Sequence, residues 1–215
     1  MTNEDAKQKL ILAGQVLVNE GQDDFTRGHI SVRVPDMVTG TSRRHSEVYI
    51  HSEIYQARAD VACVLHTHPP YAVALSASGQ PLKCYSQPGA LFYEAVGLYN
   101  ATINLIRTPE MGAGVATALG SKRAVLLKNH GIAVAGGTIE EVVVSALMLE
   151  NSARIQMIVE AAGNPGPEFP RADIEQLQRD IGRPDQFVVN FDYLVRRAQR
   201  RNRESSPDGA KRNPG

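Results

Sequence analysis

Three short apolar runs constrain the fold of this chain more than any other feature, and they are VACVLH (61–66), AVLLKNH (124–130) and Ile132–Ala135. Apolar runs of this length are typical of strands that are buried on both faces, which favours parallel pairing. Segments with helical spacing lie between them, and the longest spans about residues 139 to 162. The alternation predicts an α/β fold in which helices surround a central sheet.

The remaining segments are assigned from periodicity and turn residues. Helices are predicted at 3–20, 53–59, 70–78, 112–119, 171–181 and 188–200, and further strands at 29–34, 47–51 and near 103–106. Asn3 is the expected cap of the first helix, and Thr138 with Glu141 forms an expected capping box. We expect one catalytic domain over residues 1–200, followed by a polar, flexible tail over 201–215.

Composition argues against several classes of protein. Lys+Arg and Asp+Glu are equal at 23 each, so nucleic acid and membrane are not expected as partners, and the basic segment 196–203 is interpreted as a solvated helix end. We found no basic start with an apolar signal core, and no apolar stretch approaching about 20 residues. Cys63 and Cys84 form no C-x-x-C pair, which excludes a cysteine zinc knuckle. A soluble, cytoplasmic protein is expected.

The histidines are the candidate functional residues. His66 and His68 directly follow an apolar run, and at a period of two their side chains fall on one face, with Cα atoms about 6.5–7 Å apart. His130 ends another apolar run, so adjacent strands would bring it to the same edge of the sheet. Three imidazoles with an open position are typical of a catalytic metal site, although solvated loop histidines are the alternative interpretation.

Other polar residues near these three are each open to more than one interpretation. Glu47 is a candidate fourth ligand or proton-transfer group, or else a charge exposed at the start of a strand. His45 and His51 are expected at the surface or as outer partners of the ligands. Zinc suits three imidazoles, and manganese, cobalt and iron are alternatives when a carboxylate is added.

Four segments together resemble the class II aldolase/adducin family. They are GHISVRV (28–34), HSEVYIH (45–51), VLHTHPPYAVALS (64–76) and LLKNHGIAVAGGTIEEVVVSALMLE (126–150), and they occur in family order. The resemblance covers about residues 8–160. It implies an α/β fold with a nine-stranded, mainly antiparallel central sheet and helices on both faces, which replaces the expectation of parallel strands. It also implies a homotetramer with active sites between subunits.

The resemblance implies roles for particular residues. His66, His68 and His130 match the family's three metal ligands. Glu47 matches the acidic residue of its S-S-E motif, in which Ser46 is a substrate-binding residue. Tyr85 falls where a neighbouring subunit supplies a catalytic tyrosine.

The chain also departs from the sugar-phosphate aldolases of this family. His29 stands where their G-N-x-S motif has asparagine, and the connection PDMVTGTSRR (35–44) has no phosphate-cradling turn. That connection is several tens of residues shorter than in typical members. The difference reflects either a deletion or a segment that is missing from this sequence.

The F-T-R-G-H form at 25–29 and PGALFYE at 88–94 resemble a branch that acts on hydroxy-carboxylates, with 3,4-dihydroxyphthalate decarboxylases as the nearest match. The resemblance implies a metal-dependent carbon–carbon lyase that removes carbon dioxide from a dihydroxy-aromatic acid in aromatic catabolism. Arg27 would bind the substrate carboxylate, for which its planar guanidinium is suited, unless it is a surface charge. His29 would bind the carboxylate or act as acid or base.

Three other functions remain open. The first is an aldolase or epimerase that acts on a sugar phosphate. The second is a nonhaem-iron oxygenase. The third is a non-catalytic, adducin-like binding module, which would have no need of three converging imidazoles.

Overall fold

A five-stranded mixed sheet lies at the centre of the protein. The computed structural model describes residues 2–25, 27–34, 43–163 and 165–205. Its strands are β1 (His29–Val32), β2 (Cys63–Thr67), β3 (Val96–Tyr99), β4 (Ala124–Leu127) and β5 (Gly131–Gly136), in the order β1-β2-β5-β4-β3. β3 pairs with β4 in parallel, and the other three pairings are antiparallel. The mainly antiparallel sheet is therefore confirmed, with five strands rather than nine in the described residues.

Helices cover both faces of this sheet. They are α1 (Asn3–Asn19), α2 (Val48–Ala57), α3 (Pro70–Ser78), α4 (Gln87–Ala90), α5 (Pro109–Leu119), α6 (Ile139–Ala161), α7 (Arg171–Ile181) and α8 (Pro184–Glu204). α1, α3, α6 and α8 pack on one side, and α2 and α5 pack on the other. The predicted α/β class with helices on both faces is confirmed.

Strand residues alternate between two hydrophobic clusters. Cys63, Leu65, Ile132 and Val134 pack under α6 and its neighbours. Val64, Ala133 and Ala135 pack instead against α2, together with the fully buried Ile50 and Ile54. Because both faces are covered, antiparallel strands give the same continuous apolar runs as parallel ones, which is why parallel pairing was the wrong expectation for β2, β4 and β5.

Two predicted strands are wrong. Residues 48–51 instead form the start of helix α2, with Glu47 at its N-cap position, and the same helix includes most of the one predicted at 53–59. The β-branched VYI run favours a strand, but Ile50 and Ile54 lie four residues apart and are buried on one helical face. The strand expected near 103–106 lies instead at Val96–Tyr99, and α4 was not predicted.

The caps of α1 and α6 differ in detail from the predicted ones. Thr2, rather than Asn3, caps α1 and forms a capping box with Asp5. Thr138 caps α6 by accepting the Glu141 N–H as predicted, but the Glu141 carboxylate accepts from the Gly137 N–H instead of completing the box.

The structure differs from two expectations, one about the C-terminal tail and one about the longest helix. α8 continues through Glu204, so the start of the expected 201–215 tail is helical, while residues 206–215 lie outside the described residues. α6 is long and apolar enough to cross a membrane by length and composition alone, contrary to the expectation that no such stretch exists. Half of its apolar window is buried inside the protein, as in the core helix of a globular domain.

Candidate metal centre

Four side chains from distant parts of the sequence converge at one edge of the sheet. Glu47, His66, His68 and His130 each offer a ligand atom, and these atoms all lie within 4.8 Å of one another. His66 and Glu47 are buried. The structure thus brings together the four residues that the sequence singled out as ligands.

The strand pairing explains this convergence. β2 and β5 run antiparallel with Thr67 opposite Ile132, so the end of β2 lies beside the start of β5. His68 follows β2 directly, and His130 ends the three-residue turn that joins β4 to β5. Asn129 adopts φ of 59° in that turn, a conformation that asparagine tolerates better than most residues.

Backbone groups fix the two buried ligands. The Nδ1 of His66 donates to the Ile132 carbonyl at 2.8 Å, which leaves its Nε2 as a bare acceptor directed into the centre. The Glu47 carboxylate accepts the Ile106 N–H at 2.9 Å. Its oxygens lie 3.5 Å from His130 Nε2 and 3.9 Å from His66 Nε2.

Electrostatics keep these groups in the protonation states that a metal ion needs. Burial, and then the neighbouring His29, lower the pKa of His66 well below its usual value. Burial alone would raise the pKa of Glu47, but the neighbouring His130 side chain, 3.5 Å away, and the Ile106 N–H lower it to about 2. At neutral pH the centre therefore holds a carboxylate and a neutral His66, both able to donate electron pairs.

The buried nitrogens also lack partners within the described chain. His66 Nε2, His68 Nδ1 and both ring nitrogens of His130 are buried without a hydrogen bond. A buried polar atom left unpaired costs about 1–3 kcal/mol, so several at one point call for an occupant that they all contact. A divalent cation with nitrogen and oxygen ligands fits this set.

A loop before β1 borders the centre. Asp24 lies 3.5 Å from His68 Nδ1 and pairs with the exposed Arg27 at 2.6 Å. Gln22, which is buried, holds this loop by hydrogen bonds to Thr67 and to the Ala146 carbonyl. The sequence did not identify Gln22 and Asp24 as candidate residues, because a single polar residue in a loop has no periodic pattern.

The remaining predicted residues are distributed as follows. Ser46 is exposed beside Glu47, and His29 lies directly opposite His66 in the β1–β2 register. His45 is exposed, as expected, but packs on the His29 ring at 3.9 Å between centroids. His51 is buried, so the surface alternative for it was wrong.

Tyr85 lies apart from the centre within this chain. It lines a cavity of about 480 Å³ with Ser86, Phe169 and Leu177, and none of the described histidines borders that cavity. Its supply to a neighbouring subunit's site stays a prediction. The predicted lack of a phosphate-cradling turn concerns residues 35–44, of which 35–42 lie outside the described residues.

Known proteins share this fold and sequence pattern. "L-fuculose 1-phosphate aldolase from Glaciozyma antarctica PI12" superposes with a TM-score of 0.78 over 93% of this chain and 90% of its own, at 24% identity. The "Meiotically up-regulated gene 14 protein" of Schizosaccharomyces pombe is 36% identical over 152 residues, 68% of this chain and 59% of that protein. The chain thus spans less than two thirds of this relative's length.

A second curated relative aligns over most of both chains. The "3,4-dihydroxyphthalate decarboxylase" of Arthrobacter keyseri is 25% identical over 223 aligned residues, 85% of this chain and 89% of that protein. Residues 35–157 match the Class II Aldolase and Adducin N-terminal domain, a match that covers more than half of the chain. This protein therefore belongs to the class II aldolase and adducin family.

Proposed function

We propose that this protein is a metal-dependent carbon–carbon lyase that decarboxylates a dihydroxy-aromatic carboxylic acid resembling 3,4-dihydroxyphthalate. The observation that carries the proposal is the convergence of Glu47 with three imidazoles, each of which has a buried nitrogen without a hydrogen-bond partner in the described chain. The substrate class is supported by the similarity to a 3,4-dihydroxyphthalate decarboxylase over most of both chains.

One divalent ion per subunit fits the ligand set. Three imidazole nitrogens and one carboxylate suit zinc, and they also accept manganese, cobalt or iron. When bound, the ion supplies a Lewis acid for the negative charge that develops on a substrate oxygen. Glu47 serves either as the fourth ligand or as a proton carrier beside the other three.

Residues around the centre bind and orient the substrate. Arg27 stands at the border of the site through its pair with Asp24, and its planar guanidinium suits the second carboxylate of a phthalate. Ser46 is exposed next to Glu47, within reach of solvent and of an entering substrate. Loss of carbon dioxide consumes one proton at the ring carbon, and His29 and Tyr85 are the candidate residues for transferring protons in this step.

Oligomeric state and location complete the proposal. A homotetramer with active sites between subunits would let a neighbouring chain present Tyr85, which lies apart from the histidines of its own chain. A small-molecule substrate, a cytoplasmic location and no nucleic-acid or membrane partner follow from the proposed metabolic role.

The direct test is an assay of zinc-loaded protein with 3,4-dihydroxyphthalate that follows carbon dioxide and the dihydroxybenzoate product. We expect metal-dependent release, which His130→Asn abolishes. Lys128→Ala is the matched control, since Lys128 is exposed in the same turn, and it should keep full activity.

Other outcomes would favour the alternatives. Aldehyde release from L-fuculose 1-phosphate, with no carbon dioxide from the aromatic acid, would replace the proposal with a sugar-phosphate aldolase. Oxygen uptake by iron-loaded protein would favour an oxygenase. A folded protein that binds no metal would favour the adducin-like binding module.

A further inference from the structure

A chain of hydrogen bonds leads from the edge of the metal centre into the layer between α2 and β1. His29 Nδ1 lies 2.6 Å from His51 Nε2, and His51 Nδ1 lies 2.6 Å from Ser31 Oγ. Ser31 Oγ in turn lies 2.8 Å from the Tyr55 hydroxyl. Four side chains, two from β1 and two from α2, thus form one continuous path.

The two elements match in spacing. His29 and Ser31 are two residues apart on β1, which separates them by about 6.6 Å on one face. His51 and Tyr55 are four residues apart on α2, which separates them by about 6 Å on one face. Because these distances agree, the strand and helix side chains interleave: His51 contacts both His29 and Ser31, and Ser31 also contacts Tyr55.

One backbone carbonyl gives the path a direction. The Tyr55 hydroxyl lies 3.0 Å from the Ser31 carbonyl oxygen, which only accepts, so the phenol can donate its proton there and leave its oxygen free to accept. In that arrangement Tyr55 accepts from the Ser31 hydroxyl, and Ser31 accepts from His51 Nδ1–H. His51 Nε2 is left bare and accepts from His29.

We infer that Tyr55, Ser31 and His51 hold His29 in the tautomer with its proton on Nδ1, so that a bare Nε2 faces the metal centre. His29 Nε2 is buried and has no hydrogen-bond partner in the described chain. The His29 ring lies 5.0 Å from the His66 ring between centroids, directly across the β1–β2 pair. His51, Ser31 and Tyr55 are therefore positioning residues for His29.

This tautomer separates the two roles of His29 that the sequence leaves open. A bare nitrogen repels a carboxylate, so resting His29 is unsuited to binding one. It is suited to accept the proton of a substrate hydroxyl: the O–H bond breaks, an N–H bond forms at Nε2, and the electron pair stays on oxygen. This step rests on the proposed function, whereas the tautomer itself does not.

Nuclear magnetic resonance of zinc-loaded, ¹⁵N-histidine-labelled protein tests the tautomer directly. Two-bond and three-bond ¹H–¹⁵N correlations distinguish Nδ1–H from Nε2–H rings, and His29→Asn identifies the signals of His29. We expect Nδ1–H in the wild type, and a mixed or reversed tautomer in Ser31→Ala and Tyr55→Phe. Tyr49→Phe, on the same helix but outside the path, should leave the signals unchanged.

Kinetics provide the second readout. In Tyr55→Phe we expect kcat for decarboxylation to fall about 10–100-fold, as is typical when an outer partner is lost, with KM changed less than threefold. An Nε2–H or doubly protonated His29 at neutral pH in the wild type would overturn the inference, as would an unchanged tautomer in Ser31→Ala. An Nδ1–H tautomer in a protein that releases no carbon dioxide would uphold the positioning but refute the proton step and the proposed function.

Discussion

At the scale of single residues, the metal centre depends on backbone groups that orient the ligand side chains and on a glycine that lets two ligand segments approach closely. The Ile132 carbonyl selects the free nitrogen of His66, and the Ile106 N–H orients Glu47. Gly131 contributes by having no side chain. A Cβ built there would lie 2.5 Å from the Thr67 carbonyl and 2.8 Å from His68 Cδ2, so the two ligand segments approach each other only across glycine.

Gly131→Ala should therefore weaken metal binding. The added methyl must push the His68 ring or the end of β2 aside, and we expect the affinity for zinc to fall about 10–100-fold, as for other changes that misorient a ligand. Titration calorimetry of chelator-treated protein measures it. Gly137→Ala is the control, because a Cβ there meets only Glu141 Oε2 at 3.6 Å; equal affinities for both variants would refute the packing argument.

At the scale of elements, α2 shows what the sequence could and could not predict. The ligands His66, His68 and His130 were found because each follows an apolar run. The path through His51 and Tyr55 was missed because residues 47–51 were predicted as a strand and 53–59 as a separate helix, so the two side chains were not placed on one helical face. As a helix, α2 puts His51 and Tyr55 on one face, with Glu47 at its N-cap position, and the helix is held by the tertiary packing of Ile50 and Ile54.

Helix α3 is positioned by a residue far away in sequence. Pro69 caps it without a side-chain hydrogen bond, and the Glu150 carboxylate on α6 accepts the N–H groups of Tyr71 and Ala72 instead. α3 begins two residues after His68, so this contact also bears on the metal centre. Sequence patterns do not reveal such a distant cap, because only the fold brings α6 to the start of α3.

Glu150→Gln should lower stability by about 1–2 kcal/mol, since an amide offers one acceptor where the carboxylate offers two charged ones. Urea denaturation of chelator-treated protein measures the free energy of unfolding. Glu204→Gln, at an exposed helix end, should change it by less than about 0.5 kcal/mol. Equal stability of the two variants would mean that Glu150 is not the effective cap of α3.

At the scale of the whole molecule, the histidine-rich layer links folding to pH. Burial, with the nearby His45, lowers the pKa of His29 to about 4, and burial, with the nearby His29, lowers that of His51 to about 3. The ordinary pKa of histidine is 6.5. Between that pH and these lowered pKa values, the unfolded chain therefore binds protons at His29 and His51 that the folded chain does not bind. The stability that depends on these two histidines staying neutral is fully present above pH 6.5 and is lost as the pH falls towards 4.

Metal-free protein should therefore lose stability on acidification, by roughly 1.4 kcal/mol per pH unit for each such histidine as an upper limit. Urea unfolding between pH 7 and 4.5 gives the slope. In His51→Gln the slope should decrease by about one proton relative to the wild type, because the variant lacks one group that binds a proton only in the unfolded chain. An unchanged slope in that variant would show that His51 is not held neutral by the fold.

The most direct test of the central claim is the metal content of folded protein, measured by mass spectrometry after chelation and reloading with zinc. We predict one ion per chain in the wild type and in Lys128→Ala, and near-complete loss in His66→Ala with the fold retained. Full occupancy in His66→Ala, or a folded wild type that takes up no metal, would contradict the metal centre and every proposal built on it.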